Sequence, residues 1–246
     1  MRRRVFLLAA AGLLWSAGTA RAQAPGTVTG FIDKTMTIGG TAQRYVVYVP
    51  RNYSPDRKWP VILFLHGSGE RGTDGLKQSQ VGLGTAVRLY PERYPAVVVM
   101  PQCAPEQRWD GAMAEFALKA LDQTVAEFQG DPDRLYLTGL SMGGAGSWDL
   151  GTQYPEKWAA IVSICGRGDI PSITSKLKDT PVWAFVGDQD QAATVQFARD
   201  VTAALKSAGS TRVRYTEYPG VPHNSWDAAY AEKELPTWLF AQKRRR

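Results

Sequence analysis

The chain predicts an α/β fold: a mostly parallel central sheet with helices on both faces, in a single domain. Three observations carry this. Val61-Ile62-Leu63-Phe64-Leu65 is apolar at every position, as expected of a strand covered on both sides. Similar runs recur down the chain and alternate with stretches of helical period. No internal repeat or linker divides the 246 residues, whose 44% apolar content suits one sizeable core.

The first segment stands outside that fold. Arg2-Arg3-Arg4 is a basic start, Val5 to Trp15 is a short apolar run, and Ala20-Arg21-Ala22 is a small-x-small cleavage signature. Residues 1–22 therefore read as a signal peptide, and residues 23–246 as the catalytic domain of a periplasmic or secreted protein. Arg3-Arg4-Val5-Phe6-Leu7 also resembles a twin-arginine export pattern, and ordinary secretory export fits as well. Four of the 29 basic residues and none of the 23 acidic ones lie before the cut, so the remainder carries +2. That balance implies no nucleic-acid surface and no stable membrane association after cleavage. The basic end, Lys243 to Arg246, reads as a solvated tail.

Residues 23–30 form a Pro/Gly/Thr-rich leader into Thr35 to Ile38 and Gln43 to Val49, two edge strands joined at Gly39-Gly40. The central strand Val61 to Leu65 follows, then Ala96 to Met100. A helix is expected from Gly111 to Gln129, with Phe116, Ala120, Leu121, Val125 and Phe128 near one face and Gly130 as its stop. Leu135-Tyr136-Leu137 is a strand, followed by a helix toward Tyr154-Pro155. Strands at Ala159 to Ile164, Val182 to Val186 and Val213 to Tyr218 complete the sheet. Between the last two runs a helix from Thr194 to Ala208 turns Phe197, Val201 and Leu205 inward. Short helices near Ser225 to Lys233 and from Pro236 end the chain.

The chemistry centres on Gly139-Leu140-Ser141-Met142-Gly143, a serine at an abrupt strand-to-helix turn with glycine two residues away on either side. Such a turn stands the hydroxyl clear of the fold, a nucleophile's position; a Gly/Ser-rich loop without function is the plainer alternative. A serine hydroxyl needs a base, and the chain has only two histidines. His66 directly follows the central strand and reads as a turn-shaping residue. His223 lies in a loop after the last strand and is the expected base. The acid should lie on the loop after the next-to-last strand, at Gly187-Asp188-Gln189-Asp190. Asp190 is preferred because it lies farther beyond the strand end, Asp188 reads as a loop-shaping residue, and Asp169 is a third choice. Backbone N–H groups of Met142 and Ser68 are the expected oxyanion donors. Trp109 and Trp226 are candidates to line the cleft, against burial as the simpler reading. Cys103 and Cys165 could pair in an exported protein, although two strands are expected between theirs; free thiols are the other reading. No cluster has metal-ligand spacing and no phosphate loop is present.

With these residues in view, the chain resembles the α/β-hydrolase superfamily over nearly all of residues 23–246. Leu65 to Gly72, Met100-Pro101-Gln102-Cys103, Gly139 to Gly144, Ile164-Cys165-Gly166 and His223-Asn224-Ser225-Trp226 are similar to secreted carboxylesterases, some of them labelled peptidases. These are relatives of phospholipase/carboxylesterase, feruloyl-esterase and polyhydroxybutyrate-depolymerase types. The resemblance implies a Ser141, Asp190, His223 triad, oxyanion donors at Met142 and Ser68, no cofactor, and a small-molecule or polymer-linked ester substrate. A peptidase, an acyltransferase and a polyester depolymerase are the rivals on the same fold, and a binding module on a retired hydrolase is a fourth reading. Some relatives carry an immunoglobulin-like N-terminal domain, for which this chain has no room. The short segment between Ile164 and Val182 leaves no room for a cap domain, so an open cleft is expected.

One prediction rests on the leader alone. Mass spectrometry of the protein exported from a bacterial host should find Gln23 as its first residue; retention of residues 1–22 would overturn the cleavage assignment.

Overall fold

The structure, a computed structural model, describes residues 28–244. The segment expected to be a signal peptide, residues 1–22, together with residues 23–27, Arg245 and Arg246, lies outside the described residues. The chain opens with β1 (Gly30–Ile38) and β2 (Thr41–Val49), an antiparallel hairpin. Gly39 and Gly40, at φ +56° and +81°, form its two-residue turn, a geometry that needs positive φ at both positions. Next come β3 (Trp59–Leu65), α1 (Leu83–Leu89), β4 (Val97–Pro101), α2 (Gly111–Glu127), β5 (Gly130–Leu140) and α3 (Met142–Gln153). The remainder is β6 (Ala160–Ile164), α4 (Ile170–Leu177), β7 (Val182–Gly187), α5 (Ala192–Ser207), β8 (Val213–Tyr218), α6 (Trp226–Ala231) and α7 (Glu234–Phe240).

Among the described residues, eight strands form one sheet in the order β1-β2-β4-β3-β5-β6-β7-β8. β3 to β8 run parallel, while β2 pairs antiparallel with both β1 and β4. Of the two strands expected at an edge, only β1 is there; β2 is interior. Its run Tyr45 to Val49 is buried throughout, which fits a strand with neighbours on both sides.

The alternation of side chains along β3 divides the core. Val61, Leu63 and Leu65 face one cluster with Phe116 and Leu121 of α2, Trp148 and Leu150 of α3, and Phe197, Val201 and Leu205 of α5. Ile62 and Phe64 face the other, with Leu83 and Val87 of α1, Tyr230 of α6, and Leu235 and Leu239 of α7. Helices on both faces thus account for the unbroken apolar run. β3 and β5 form the middle of the sheet, where the strand order reverses direction, and the crevice beyond their carboxyl ends is where open α/β sheets bind ligands.

Several local expectations are corrected. The left-handed residue that ends α2 is Gln129, at φ +49°, while Gly130 already belongs to β5. Gly130 is there for space, since a β-carbon would come within 2.9 Å of Val125 Cα and Val61 Cγ2. Arg244 is no free tail residue: its N–H donates to the Asp133 carbonyl at 2.8 Å and its guanidinium lies 3.1 Å from the Asp133 carboxylate. The sequence reading passed over α1, whose apolar face, Leu83, Ala86 and Val87, has helical spacing but only seven residues in which to show it. Between β6 and β7 lies only α4, so no cap covers the sheet there.

The core division yields a stability test. Leu63 is fully buried, and Leu63→Ala should lower unfolding stability in urea by about 2–5 kcal/mol. Leu89→Ala, at a side chain 63% exposed, should change it by no more than about 0.5 kcal/mol.

Candidate active site

β5 ends at Leu140 and α3 begins at Met142, leaving Ser141 alone to make the turn. Its backbone sits at φ +53° and ψ −114°, a conformation that side chains disfavour. Packing holds it there. A β-carbon on Gly139 would lie 2.3 Å from the Gly143 carbonyl oxygen, one on Gly143 would lie 1.9 Å from the Leu65 oxygen, and one on Gly144 would lie 2.5 Å from the Ile164 oxygen. The glycines let the backbone of α3 rest directly on the ends of β3, β5 and β6. The Ser141 N–H donates to the Ile164 carbonyl at 2.9 Å, and its own carbonyl accepts from Ala145 N–H at 3.0 Å.

Two loops bring the partners to this turn. His223, beyond β8, places Nε2 2.8 Å from Ser141 Oγ and Nδ1 2.9 and 2.8 Å from the two Asp190 carboxylate oxygens. A carboxylate only accepts, so Nδ1 carries the proton and Nε2 presents its lone pair to the serine hydroxyl. The Asp190 side chain has no exposed surface and accepts a further hydrogen bond from Gln191 N–H at 2.6 Å. Asp188 instead accepts from Gly220 N–H at 2.7 Å, tying the loop after β7 to the loop after β8. Asp169 caps α4, accepting from Ser172 N–H at 2.9 Å. The three aspartates the sequence offered thus have three different jobs.

Met142 is the first residue of α3, and Ser68 the first residue of a single 3₁₀ turn, Ser68–Glu70, after β3. N–H groups at those positions have no acceptor within their own helices. Both residues line the same cleft as Ser141 and His223. Arg71 Nη2 donates to Met142 Sδ at 3.1 Å, which ties the Ser68 loop to the start of α3.

His66 is fully buried and engaged in structure. Cys103 N–H donates to its Nε2 at 2.9 Å, so its proton is on Nδ1, which donates to the Gly67 carbonyl at 2.6 Å. Burial pulls its pKa from 6.5 to about 4, keeping the ring neutral. Trp109 does not line the cleft. It is 2% exposed, its Nε1 donates to the His66 carbonyl at 2.9 Å, and its ring stands edge-on to His66. Trp226 is also absent from the lining; it packs edge-on against the His223 ring with centroids 5.6 Å apart. Both indoles pack against histidines, Trp109 buried and hydrogen-bonded through its N–H, Trp226 partly buried.

Cys103 and Cys165 are free and buried, because β3 and β5 separate their strands. Burial pushes the Cys165 thiol up to about 12 and the Cys103 thiol up to about 11, so both stay protonated. Among the described residues, one group has potential metal-ligand atoms within 4.8 Å of one another: Cys165, Asp190 and His223. Its His223 and Asp190 donors are already spent on each other and on Ser141, and its thiol keeps its proton. The arrangement suits the relay of a proton more than the binding of a cation.

The cleft has a volume of about 290 Å³. Arg108, Arg167, Gln191 and Thr194 complete its lining, and sequence reasoning named none of them. The signal available was position, since each lies in the loop after a strand's carboxyl end on the serine side or in the first turn of the helix that follows it.

Comparison with known proteins follows from this geometry. A family model described as "Putative esterase" matches residues 38–240. The chain belongs to this esterase family. The curated "Putative esterase NocK" of Nocardia uniformis subsp. tsuyamanensis is 26% identical over 139 residues, 53% of this chain and 40% of that protein. A solved thermostable esterase superposes with a TM-score of 0.80 at 34% identity, over 87% of this chain and 63% of the other. This chain thus spans less than two thirds of both relatives. The feruloyl esterase module from Clostridium thermocellum complexed with sinapinate shares the fold, with a TM-score of 0.69 at 17% identity over 88% of this chain and 89% of its own.

His66 gives the site its own pH test. Its folded pKa lies below the unfolded value, so the unfolded chain binds the extra proton and stability falls as pH drops from about 6.5 toward 4. The slope from one such group approaches about 1.4 kcal/mol per pH unit. Urea unfolding across that range should be flatter for His66→Gln than for the native protein, and equal slopes would remove His66 from the account.

Proposed function

We propose that the protein is a serine hydrolase that cleaves carboxylic esters through an acyl-enzyme and acts outside the cytoplasm after loss of its leader. The observation that carries this reading is the continuous hydrogen-bond relay from Asp190 through His223 to Ser141 Oγ. Membership of the esterase family and the leader's basic-apolar-small pattern support it.

In this reading His223 Nε2 takes the proton from Ser141 Oγ as the oxygen attacks the ester carbonyl. Asp190 stabilises the imidazolium that forms, from a carboxylate whose own hydrogen bonds hold it in place. The carbonyl oxygen becomes an oxyanion between the N–H groups of Met142 and Ser68, which need no reorganisation because they belong to the starts of helical turns. His223 returns its proton to the leaving alcohol. It then draws one from water, which attacks the acyl carbon, and passes that proton to Ser141 Oγ as the acyl–oxygen bond breaks and the acid leaves. No step requires a metal or an organic cofactor. The absence of a cap between β6 and β7 favours direct access of soluble or polymer-linked esters to the serine. Among the described residues no helix is long and apolar enough to cross a membrane.

Mature protein should hydrolyse a p-nitrophenyl ester series, and Ser141→Ala should lower kcat/KM by about 10⁴-fold or more. Asp190→Asn should cost about 10⁴-fold in kcat, since the amide can stabilise the wrong tautomer of His223. Cleavage of a matched anilide as fast as the ester would instead favour a peptidase, and an unaffected Ser141→Ala variant would sink the mechanism.

A further inference from the structure

Arg108 and Arg167 both line the cleft that holds Ser141 and His223. Arg108 sits in the loop after β4 and Arg167 in the loop after β6, so their loops rise on opposite sides of β5 and its serine. Both side chains are exposed. Neither makes a hydrogen bond or an ion pair among the described residues. Four other arginines, Arg134, Arg199, Arg214 and Arg244, each lie 2.6–3.1 Å from a carboxylate. The guanidinium charge at the cleft is uncommitted.

Nothing in the cleft's lining offsets that charge. No aspartate or glutamate is among its lining residues, and the nearby Asp190 carboxylate is wholly buried and spent on His223 and Gln191. Asp149 feels Arg108 through space without bonding to it. The start of α5 also lines the cleft, where Gln191 and Thr194 face it and no acidic residue occupies the first turn. An anion entering here would meet two guanidinium groups and the positive end of a 16-residue helix.

We propose that this cleft selects esters that carry a carboxylate, held by Arg108 and Arg167 while the ester carbonyl lies at Ser141. The inference rests on the esterase reading above. A carboxylate is the chemistry that matches: its two coplanar oxygens pair with the planar donor fork of arginine, and an ester of a dicarboxylic or hydroxycarboxylic acid bears one within reach of the scissile bond. The carboxylate takes no part in the chemistry; it fixes which ester is presented.

Two pairs of esters test this and separate the acyl side from the alcohol side. Mono-p-nitrophenyl glutarate is compared with p-nitrophenyl pentanoate, and 4-acetoxybenzoate with 4-methylphenyl acetate, each rate corrected for spontaneous hydrolysis. The quantity read is the anionic-to-neutral ratio of kcat/KM, which cancels any general loss of activity. In the Arg108→Gln/Arg167→Gln double variant this ratio should fall about tenfold to a hundredfold in one of the pairs, from lost hydrogen bonds to a charged group. That pair identifies the side on which the carboxylate lies. Arg167→Glu should lower the ratio further. An unchanged ratio in both pairs overturns the proposal.

Failure of the esterase reading gives a different signature, in which the native protein cleaves neither neutral ester. Calorimetric binding of mono-p-nitrophenyl glutarate to Ser141→Ala, with and without the two arginine substitutions, then decides the inference without turnover. At least tenfold weaker binding on losing the arginines supports it, and equal binding overturns it.

Discussion

The contact on which the rest of the site depends is backbone against backbone. The first turn of α3 lies on the ends of β3, β5 and β6 so closely that a β-carbon on Gly143 would sit 1.9 Å from the Leu65 oxygen. With the helix that near the sheet, only one residue is left to turn from Leu140 to Met142, and that residue takes φ +53°. The strain is local and the packing around it is extensive, so the packing wins. The same contact fixes the direction of Ser141 Oγ, the position of the Met142 N–H, and the line along which His223 approaches.

Two histidines in one small region have opposite fates, and hydrogen-bond bookkeeping explains why. His66 is surrounded by backbone: a donor from Cys103 and an acceptor at Gly67 use both ring nitrogens, and full burial penalises its charge. Such a ring has no nitrogen left for proton transfer. His223 keeps a half-exposed ring with one nitrogen on a buried carboxylate and the other on the serine hydroxyl. One histidine stabilises the turn after β3, and the other can move a proton.

The cleft above this relay is polar for its size, bounded by two arginines and a glutamine from loops beyond three different strands and by a threonine in the first turn of α5. Both tryptophans near the site pack on histidine rings, Trp109 buried against His66 and Trp226 partly buried against His223. Flat apolar surface has thus been used to position the rings, while the wall that meets solvent and substrate carries charge and amide. The division suits a sheet whose carboxyl ends are open, since an exposed indole wall would be sticky where no cap covers it.

Periodicity and order made much of this legible in the chain alone. Apolar runs located the parallel strands, the glycines around Ser141 marked the turn, and the scarcity of histidine narrowed the base to one candidate. Asp190 could be preferred over Asp188 because a residue farther past the strand end has freedom to turn back. What the sequence could not express was anything that depends on which loops meet. That β2 is interior and that Arg244 anchors on Asp133 are consequences of long-range placement, and the same placement decides between readings the chain left open, leaving Cys103 and Cys165 as free thiols and Trp109 buried. The same holds for Arg108 and Arg167, 59 positions apart in the chain and joined only by a shared cleft. Local pattern encodes which face of an element is buried; only the tertiary structure sets what a loop residue touches, because loops follow no period.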